Sequence, residues 1–265
     1  MREFRIHYDV LCLRPPRQPG PPQLLDLVRP HVRWTAFDRR TMPAAFVHPT
    51  FAAHYDGAGD HEPSDDPHGV NRSILCQLID QAQGGFSIVS DATADDLTPL
   101  QAAWGMASVL AATSMAVVVD RTCDLGYTPD DFARMEDDLN SDGNHDVRDS
   151  VIVQRREGQR GFHIGSVGMN KFGQRDFMML DVPPSRVNLC VSVMYDHLCQ
   201  YAALQADILP NQTMQYRGTD PAACWLFSPA ADGRLVVSDV ELPGKRAVPG
   251  LHKFFSVVAP EAAAS

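Results

Sequence analysis

The sequence predicts an α+β protein, with a mostly antiparallel sheet and two or three helices packed on one face of that sheet. Short segments rich in β-branched and aromatic residues recur along the chain and indicate strands. Capping residues followed by apolar residues at helical spacing indicate helices. These strands and helices do not alternate strictly, which disfavours a doubly wound parallel sheet.

The first 89 residues contain three predicted strands, a short helix candidate at residues 23–28 and a second predicted helix. Residues 4–13 and 31–37 combine partial alternation with β-forming residues. Asn71 is a suitable N-cap for a helix that ends before Gly84-Gly85, and residues 86–89 form the next predicted strand.

The clearest helix signal lies at Thr98-Pro99-Leu100-Gln101, a capping box with proline at the first helical position. Apolar residues at helical spacing extend this helix to about residue 113. The continuous apolar run at 115–119 predicts a central strand that is buried on both faces. Thr128-Pro129 repeats the helix start.

After residue 149 the pattern is mostly that of strands. Residues 151–155 and 162–165 flank a Gly-containing turn and predict a hairpin, followed by a strand at 176–180. Pro183-Pro184-Ser185 predicts the start of the longest helix, with Ser185 as its N-cap. Three further short strands are predicted near 213–217, 224–227 and 235–237.

The length of 265 residues allows one large or two small domains. Because the chain has no internal repeat and no long low-complexity linker, we predict a single domain over residues 1–259. Residues 260–265 are predicted to be a frayed tail. A domain boundary near residue 145 is the alternative.

The composition excludes some classes of protein. No stretch approaches the ~18 apolar residues of a membrane span, and the N-terminus lacks the apolar run of a signal peptide, so we expect a cytoplasmic protein without a membrane partner. The net charge of −10 argues against nucleic-acid binding. The six cysteines include no Cys-x-x-Cys pair, which excludes a zinc ribbon. We therefore expect the cysteines to act as small apolar residues.

The negative charge is concentrated in two segments. Residues 56–96 contain nine acidic residues and one basic residue, and residues 120–149 contain ten acidic and three basic residues. The remainder of the chain is slightly basic. Such local concentrations suit a cation or a basic partner, although two solvated loops would have the same composition.

Residues 138–149 match the twelve-residue calcium loop of EF-hand and dockerin type. Oxygen ligands at alternating positions suit calcium, and Gly143 allows the sharp turn between them. The predicted ligands are Asp138, Asn140, Asp142, Asn144, Asp146 and Asp149.

The same segment also suits an ordinary acidic turn. His145 occupies a position that is normally aliphatic, and Asp149 is shorter than the usual glutamate. A strand rather than a second helix is predicted after the loop. Both interpretations, a calcium site and a solvated turn, stay open on the sequence.

A second acidic loop lies at residues 54–68 and combines histidines with carboxylates, which suits zinc, manganese or iron. Its spacing matches no recognised metal site, so a surface loop is the alternative. The residues concerned are His54, Asp56, Asp60, His61, Glu62, Asp65, Asp66 and His68.

The sequence gives little support for catalysis. It contains neither a P-loop nor a Gly-x-Gly-x-x-Gly fingerprint, and Gly165-Ser166-Val167-Gly168 departs from the nucleophile elbow. Cys190 and His197 are seven residues apart on the predicted long helix and would share a face. An interior helix face is a poor place for a nucleophile.

The middle of the chain resembles an uncharacterised bacterial family, the domain of unknown function 4261, over about residues 85–215. The segments that carry the resemblance are 86–90, 99–119, 127–132, 165–177, the helix from Ser185 and residues 208–211. In segment 165–177, the resemblance implies a strand, a Gly-x-x-x-Phe-Gly turn and another strand. It implies no catalytic residue.

Together these observations predict a non-catalytic cytoplasmic bacterial protein that acts through an unknown protein partner, as an adaptor or a toxin-neutralising partner. The location of some similar domains near bacterial toxin and secretion genes motivates the second role. A metal-binding protein that uses loop 138–149 or loop 54–68 is the alternative function. No other cofactor is predicted.

Overall fold

The computed structural model describes residues 4–14, 30–38, 72–92, 96–114, 116–123, 125–128, 147–204, 208–215, 224–241 and 246–248. The chain divides into two compact units. The first unit contains Met1–Ser150 together with Asn170–Gly173, and the second contains Val151–Met169 and Gln174–Ser265. Each unit contains a mostly antiparallel sheet and helices, which confirms the predicted α+β class.

The first unit is built on a five-stranded sheet in the order β2-β3-β1-β4-β5, with every neighbouring pair antiparallel. Its strands are β1 (Phe4–Cys12), β2 (Val32–Asp38), β3 (Gly84–Ala92), β4 (Ala116–Asp120) and β5 (Leu125–Tyr127). Among its described residues, the helices are α1 (Arg72–Gln81) and α2 (Thr98–Ser114).

Helices α1 and α2 lie on opposite faces of this sheet, whereas the sequence predicted helices on one face. Leu11 of β1 packs with Ile79 of α1. Tyr8 of β1 accepts a hydrogen bond from the indole N–H of Trp104 in α2. Because side chains alternate along a strand, Leu11 and Tyr8 point to opposite faces. Strand β4 is therefore buried on both faces, as the apolar run at 115–119 predicted, and β1 is buried on both faces from Tyr8 to Cys12.

Strand β3 is longer than predicted because Gly84 and Gly85 belong to it rather than ending helix α1. Gly85 lies opposite Leu11 in the pairing with β1. A Cβ atom at Gly85 would lie 2.1 Å from the carbonyl oxygen of Val10 and 2.8 Å from the ring of Phe37. Only glycine allows the backbones to approach this closely.

The second unit contains a seven-stranded sheet in the order β6-β7-β8-β11-β10-β9, with β12 paired to β11. The pairing of β8 with β11 is parallel, and the other described pairings are antiparallel. The predicted hairpin is confirmed as β6 and β7. The strands are β6 (Ile152–Glu157), β7 (Phe162–Val167), β8 (Phe177–Val182), β9 (Thr213–Gln215), β10 (Cys224–Pro229), β11 (Leu235–Glu241) and β12 (Arg246–Val248).

The helical segment of the second unit is less regular than predicted. It begins with a 3-10 turn at Pro184–Arg186 whose N-cap is Pro183, so the prediction of Ser185 as N-cap is wrong. It continues as α3 (Val187–Val193), a π-helix at Met194–Cys199 and α4 (Gln200–Leu204). None of the helices in the described part of the chain is long and apolar enough to span a bilayer.

Candidate functional site

Most of the predicted metal ligands lie outside the described residues: Asp138, Asn140, Asp142, Asn144 and Asp146 of the calcium loop, and all of loop 54–68. Asp149, the last predicted calcium ligand, ends a 3-10 helix at Val147–Asp149, and its backbone carbonyl accepts a hydrogen bond of 2.9 Å from the Tyr127 hydroxyl. Within the described ranges, no group of three or more His, Cys, Asp or Glu side chains is arranged to hold a metal ion.

The residues considered for nucleophilic catalysis are not assembled for it. Cys190 is buried, which raises the pKa of its thiol to about 12, whereas His197 is exposed. The two residues do not share a face, since the π-helix between them changes the helical phase. Ser166 is buried, donates a hydrogen bond to the Asp176 carboxylate and accepts one from the N–H of Phe177.

Four polar residues form a half-exposed cluster on the face of the first sheet that α1 partly covers. We call the set of His7, Asp9, Ser87 and Arg121 the His7 cluster. His7 Nε2 lies 2.8 Å from Ser87 Oγ and 3.3 Å from Asp9 Oδ1, and Arg121 Nε lies 3.3 Å from Asp9 Oδ2. The side chain of Asp9 is only 4% exposed, while those of His7 and Arg121 are 38% and 17% exposed.

Strand geometry explains how this cluster forms. His7 and Asp9 are two apart on β1 and therefore share a face, and Ser87 of β3 lies directly opposite Asp9. Arg121 follows β4 and donates its backbone N–H to the carbonyl of His7 at 2.9 Å. The cluster is thus held by three neighbouring strands.

The His7 cluster resembles a Ser-His-Asp triad in composition but not in geometry. In a triad the histidine uses one ring nitrogen for the serine and the other for the carboxylate. Here both contacts involve Nε2 of His7. The arrangement therefore does not relay a proton from Ser87 to Asp9, and it fits a charged binding surface better than a nucleophile.

A second polar network lies on the opposite face of the same sheet and is completely buried. We call Lys171, Asp120, Cys123 and the backbone carbonyl of Ser150 the Lys171 network. The Lys171 ammonium donates hydrogen bonds to the Asp120 carboxylate and to the Ser150 carbonyl, and it lies 3.5 Å from Cys123 Sγ. The side chains of Lys171 and Asp120 are both 0% exposed.

The electrostatics of the Lys171 network keep the lysine charged. Burial alone would lower the pKa of Lys171, but the attraction of the Asp120 carboxylate and contacts with Cys123 outweigh it, so the pKa is raised. Burial and the neighbouring Asp120 carboxylate raise the pKa of the Cys123 thiol well above its usual value. Lys171 therefore acts as a permanent cation, and Cys123 as a neutral thiol.

Two tyrosines complete this buried region. Burial, followed in importance by Asp120, raises the pKa of Tyr8 well above its usual value. Burial likewise raises the pKa of Tyr127, with further contributions from Cys123 and Asp120. Both phenols stay neutral, so the buried region holds one carboxylate balanced by one ammonium group.

Sequence reasoning did not identify either cluster as a site. The residues of the His7 cluster come from β1, β3 and the turn after β4, and no local motif connects all of them. The sequence does contain a signal for Lys171. It is one of only three lysines in a chain with twenty arginines. It lies between Met169 and Phe172, in a short segment bounded by two glycines. An isolated lysine among apolar residues is more typical of a buried point charge than of a solvated turn.

Comparisons with protein-family models, curated proteins and solved structures give no match for this chain. The chemistry of the site has to be inferred from its own geometry.

Proposed function

We propose that this protein works in the bacterial cytoplasm by binding another protein, as an adaptor or a toxin-neutralising partner, and that the His7 cluster forms part of the contact surface. The observation that carries this proposal is the fixed, partly exposed set of polar groups, including the Arg121 guanidinium, around the nearly buried Asp9 carboxylate. Charged groups that rigid strands hold in place lose little entropy on binding and favour a specific partner.

The state of the nucleophilic groups supports a binding role over catalysis. The thiols of Cys12, Cys123, Cys190 and Cys199 all have raised pKa values, with burial as the main cause. A thiol that stays protonated is a weak nucleophile. The resemblance to the domain of unknown function 4261, which implies no catalytic residue, favours the same role.

A comparative capture experiment tests the proposal. Full-length protein would be cross-linked in a lysate of its source bacterium alongside His7→Ala, which removes a side chain of the cluster that is 38% exposed. Arg156→Gln, at an exposed position of β6 in the second unit, is the matched control. We expect one partner that wild type and Arg156→Gln retain and that His7→Ala loses by about tenfold. Equal capture by all three folded proteins, or capture of no partner, contradicts the proposal.

The alternative function is calcium binding by residues 138–149. The observation in its favour is the anchoring of the C-terminal end of this loop: Tyr127 binds the carbonyl of Asp149, and Lys171 binds the carbonyl of Ser150. A loop fixed at one end loses less entropy when it orders around an ion. Calorimetry on chelator-treated protein, with Asp142→Asn as control, would show heat for wild type only. Absence of heat and of any change in Tm at millimolar calcium would contradict calcium binding.

The composition of loop 54–68 supports a transition-metal site only as a weaker alternative. Elemental analysis of protein that was purified without a histidine tag tests it. A stoichiometric metal that His61→Ala removes would support the site, and a metal-free preparation that does not take up added zinc would exclude it.

A further inference from the structure

The two polar networks meet at one peptide bond. Asp120 ends β4 and points to the face where Lys171 lies, and Arg121, the next residue, contacts Asp9 on the other face. The cross-strand pairs agree with this division, because Asp120 lies opposite Tyr8 and Val119 lies opposite Asp9. A change in the backbone at Asp120 therefore changes the position of Arg121.

We propose that Lys171 is a positioning residue for the His7 cluster and acts through the turn that follows β4. The Asp120 carboxylate uses Oδ2 to accept a hydrogen bond from Lys171 and Oδ1 to accept one from the N–H of Thr122 at 2.8 Å. The lysine thereby fixes the carboxylate that closes the turn. Arg121 lies inside this turn, so the position of its backbone depends on the turn.

Further contacts hold the same turn in place. Cys123, the last described residue of the turn, contacts Lys171 and donates its S–H to the Ser150 carbonyl at 3.6 Å. That carbonyl also accepts a hydrogen bond from Lys171. On the other face, the backbone N–H of Arg121 binds the carbonyl of His7. The turn is thus fixed between the buried ammonium group and strand β1.

The chain up to Ser150 does not contain all the residues of the first unit. Its cation comes from Asn170–Gly173, a segment beyond residue 150 that belongs to the same unit. Lys171 lies in a 3-10 helix at Met169–Phe172 between Gly168 and Gly173, whose φ values of 117° and 69° lie in the region that favours glycine. Without Lys171 the Asp120 carboxylate would be buried without its cation.

Hydrogen exchange in the full-length protein separates positioning from simple stabilisation. The probes are the backbone N–H of Arg121, which reports on the turn, and the N–H of Val118 in β4, which reports on unfolding of the unit. In Lys171→Met we expect the protection of Arg121 to fall at least about tenfold relative to that of Val118. Leu110→Ala in α2, a buried residue outside the turn, is the control that lowers stability without affecting the Lys171 network.

The double variant Asp120→Asn/Lys171→Met separates loss of the ammonium group from the cost of leaving a buried carboxylate without its cation. It leaves no unpaired carboxylate, and asparagine retains an oxygen for the N–H of Thr122, so stability should rise above that of Lys171→Met. We expect Arg121 to stay less protected than in wild type because the ammonium group no longer fixes residue 120. Parallel changes of Arg121 and Val118 in every variant would overturn the proposal. Because no partner is involved, the result is independent of the proposed function.

Discussion

Lys171 donates a hydrogen bond to the carboxylate of Asp120, 51 residues earlier in the chain, and both side chains are fully buried. Removing two charges from water is expensive, and the cost is offset only where further hydrogen bonds satisfy both groups. The N–H of Thr122 and the carbonyl of Ser150 supply such bonds. The pair thus fixes one geometry of the turn after β4.

The contact between Trp104 and Tyr8 leads to a prediction about the core of the first unit. Tyr8→Phe removes the acceptor of the indole N–H, and both side chains are fully buried. We expect a loss of about 1–3 kcal/mol in the free energy of unfolding, since a buried donor would lose a partner. Urea unfolding followed by tryptophan fluorescence measures it. Leu100→Ile in α2 is a control that alters packing without affecting a polar group, and an equal loss in both variants would contradict the prediction.

Gly85 gives a second prediction, with Gly165 as its control. An alanine Cβ at Gly85 would lie 2.1 Å from the backbone oxygen of Val10, whereas at Gly165 its nearest neighbour would be the flexible guanidinium of Arg234 at 3.3 Å. We expect Gly85→Ala to lower the free energy of unfolding by at least about 3 kcal/mol and Gly165→Ala by about 1 kcal/mol or less. Comparable Tm values for the two variants would show that β1 and β3 are less closely paired than described.

The raised pKa values predict a loss of stability at alkaline pH. Cys123, Tyr8, Tyr127 and Lys171 all have folded-state pKa values above their ordinary values of 9.0, 10.0, 10.0 and 10.5. The folded protein therefore holds more protons than the unfolded chain above about pH 9, and stability falls as pH rises. Their contribution is fully present below the unfolded-state values. Unfolding free energies from pH 7 to 11 should fall above about pH 9, and a flat profile would contradict the burial of these groups.

Comparing wild type with Cys123→Ala identifies one part of this pH dependence. The variant should lose less stability between pH 8 and 10, because one group with a raised pKa has been removed. Cys224→Ala, at a half-buried position of β10 in the second unit, is the control for removing a thiol outside the Lys171 network.

Thiol modification gives a prediction that does not depend on unfolding. Because the pKa of Cys190 is about 12, its thiolate fraction at pH 8 is roughly a thousandfold below that of a thiol with a pKa of 9.0. Peptide mapping after brief iodoacetamide treatment at pH 8 should show labelled Cys224 before Cys12, Cys123, Cys190 or Cys199. Early labelling of Cys190 would mean that the helical segment opens readily.

Local patterns predicted much of the fold. The apolar run at 115–119 and the hairpin of β6 and β7 depend on neighbouring residues, and both are confirmed. The start of α2 at Thr98 is also confirmed, although the carboxylate of Asp96 accepts the N–H of Thr98 and the carbonyl of Leu97 accepts the first helical hydrogen bond. Thr98 thus belongs to the first turn of the helix rather than capping it.

Local patterns do not predict which strands pair with each other when they are far apart in the sequence. The insertion of β1 between β3 and β4 depends on contacts such as Phe4 with Ala92, which no local periodicity encodes. The same limit applies to the candidate site, because His7, Ser87 and Arg121 meet only through that strand order. The calcium ligands Asp138, Asn140, Asp142, Asn144 and Asp146 stay predictions, since they lie outside the described residues.

The central claim is that Lys171 and Asp120 are energetically coupled. A double-mutant cycle measured by urea unfolding tests this coupling most directly. Lys171→Met alone leaves an unpaired buried carboxylate and should cost about 3–5 kcal/mol, whereas Asp120→Asn/Lys171→Met should cost clearly less than the sum of the single changes. A coupling free energy of at least about 2 kcal/mol is expected. Additive effects, with a coupling below about 0.5 kcal/mol, would contradict it.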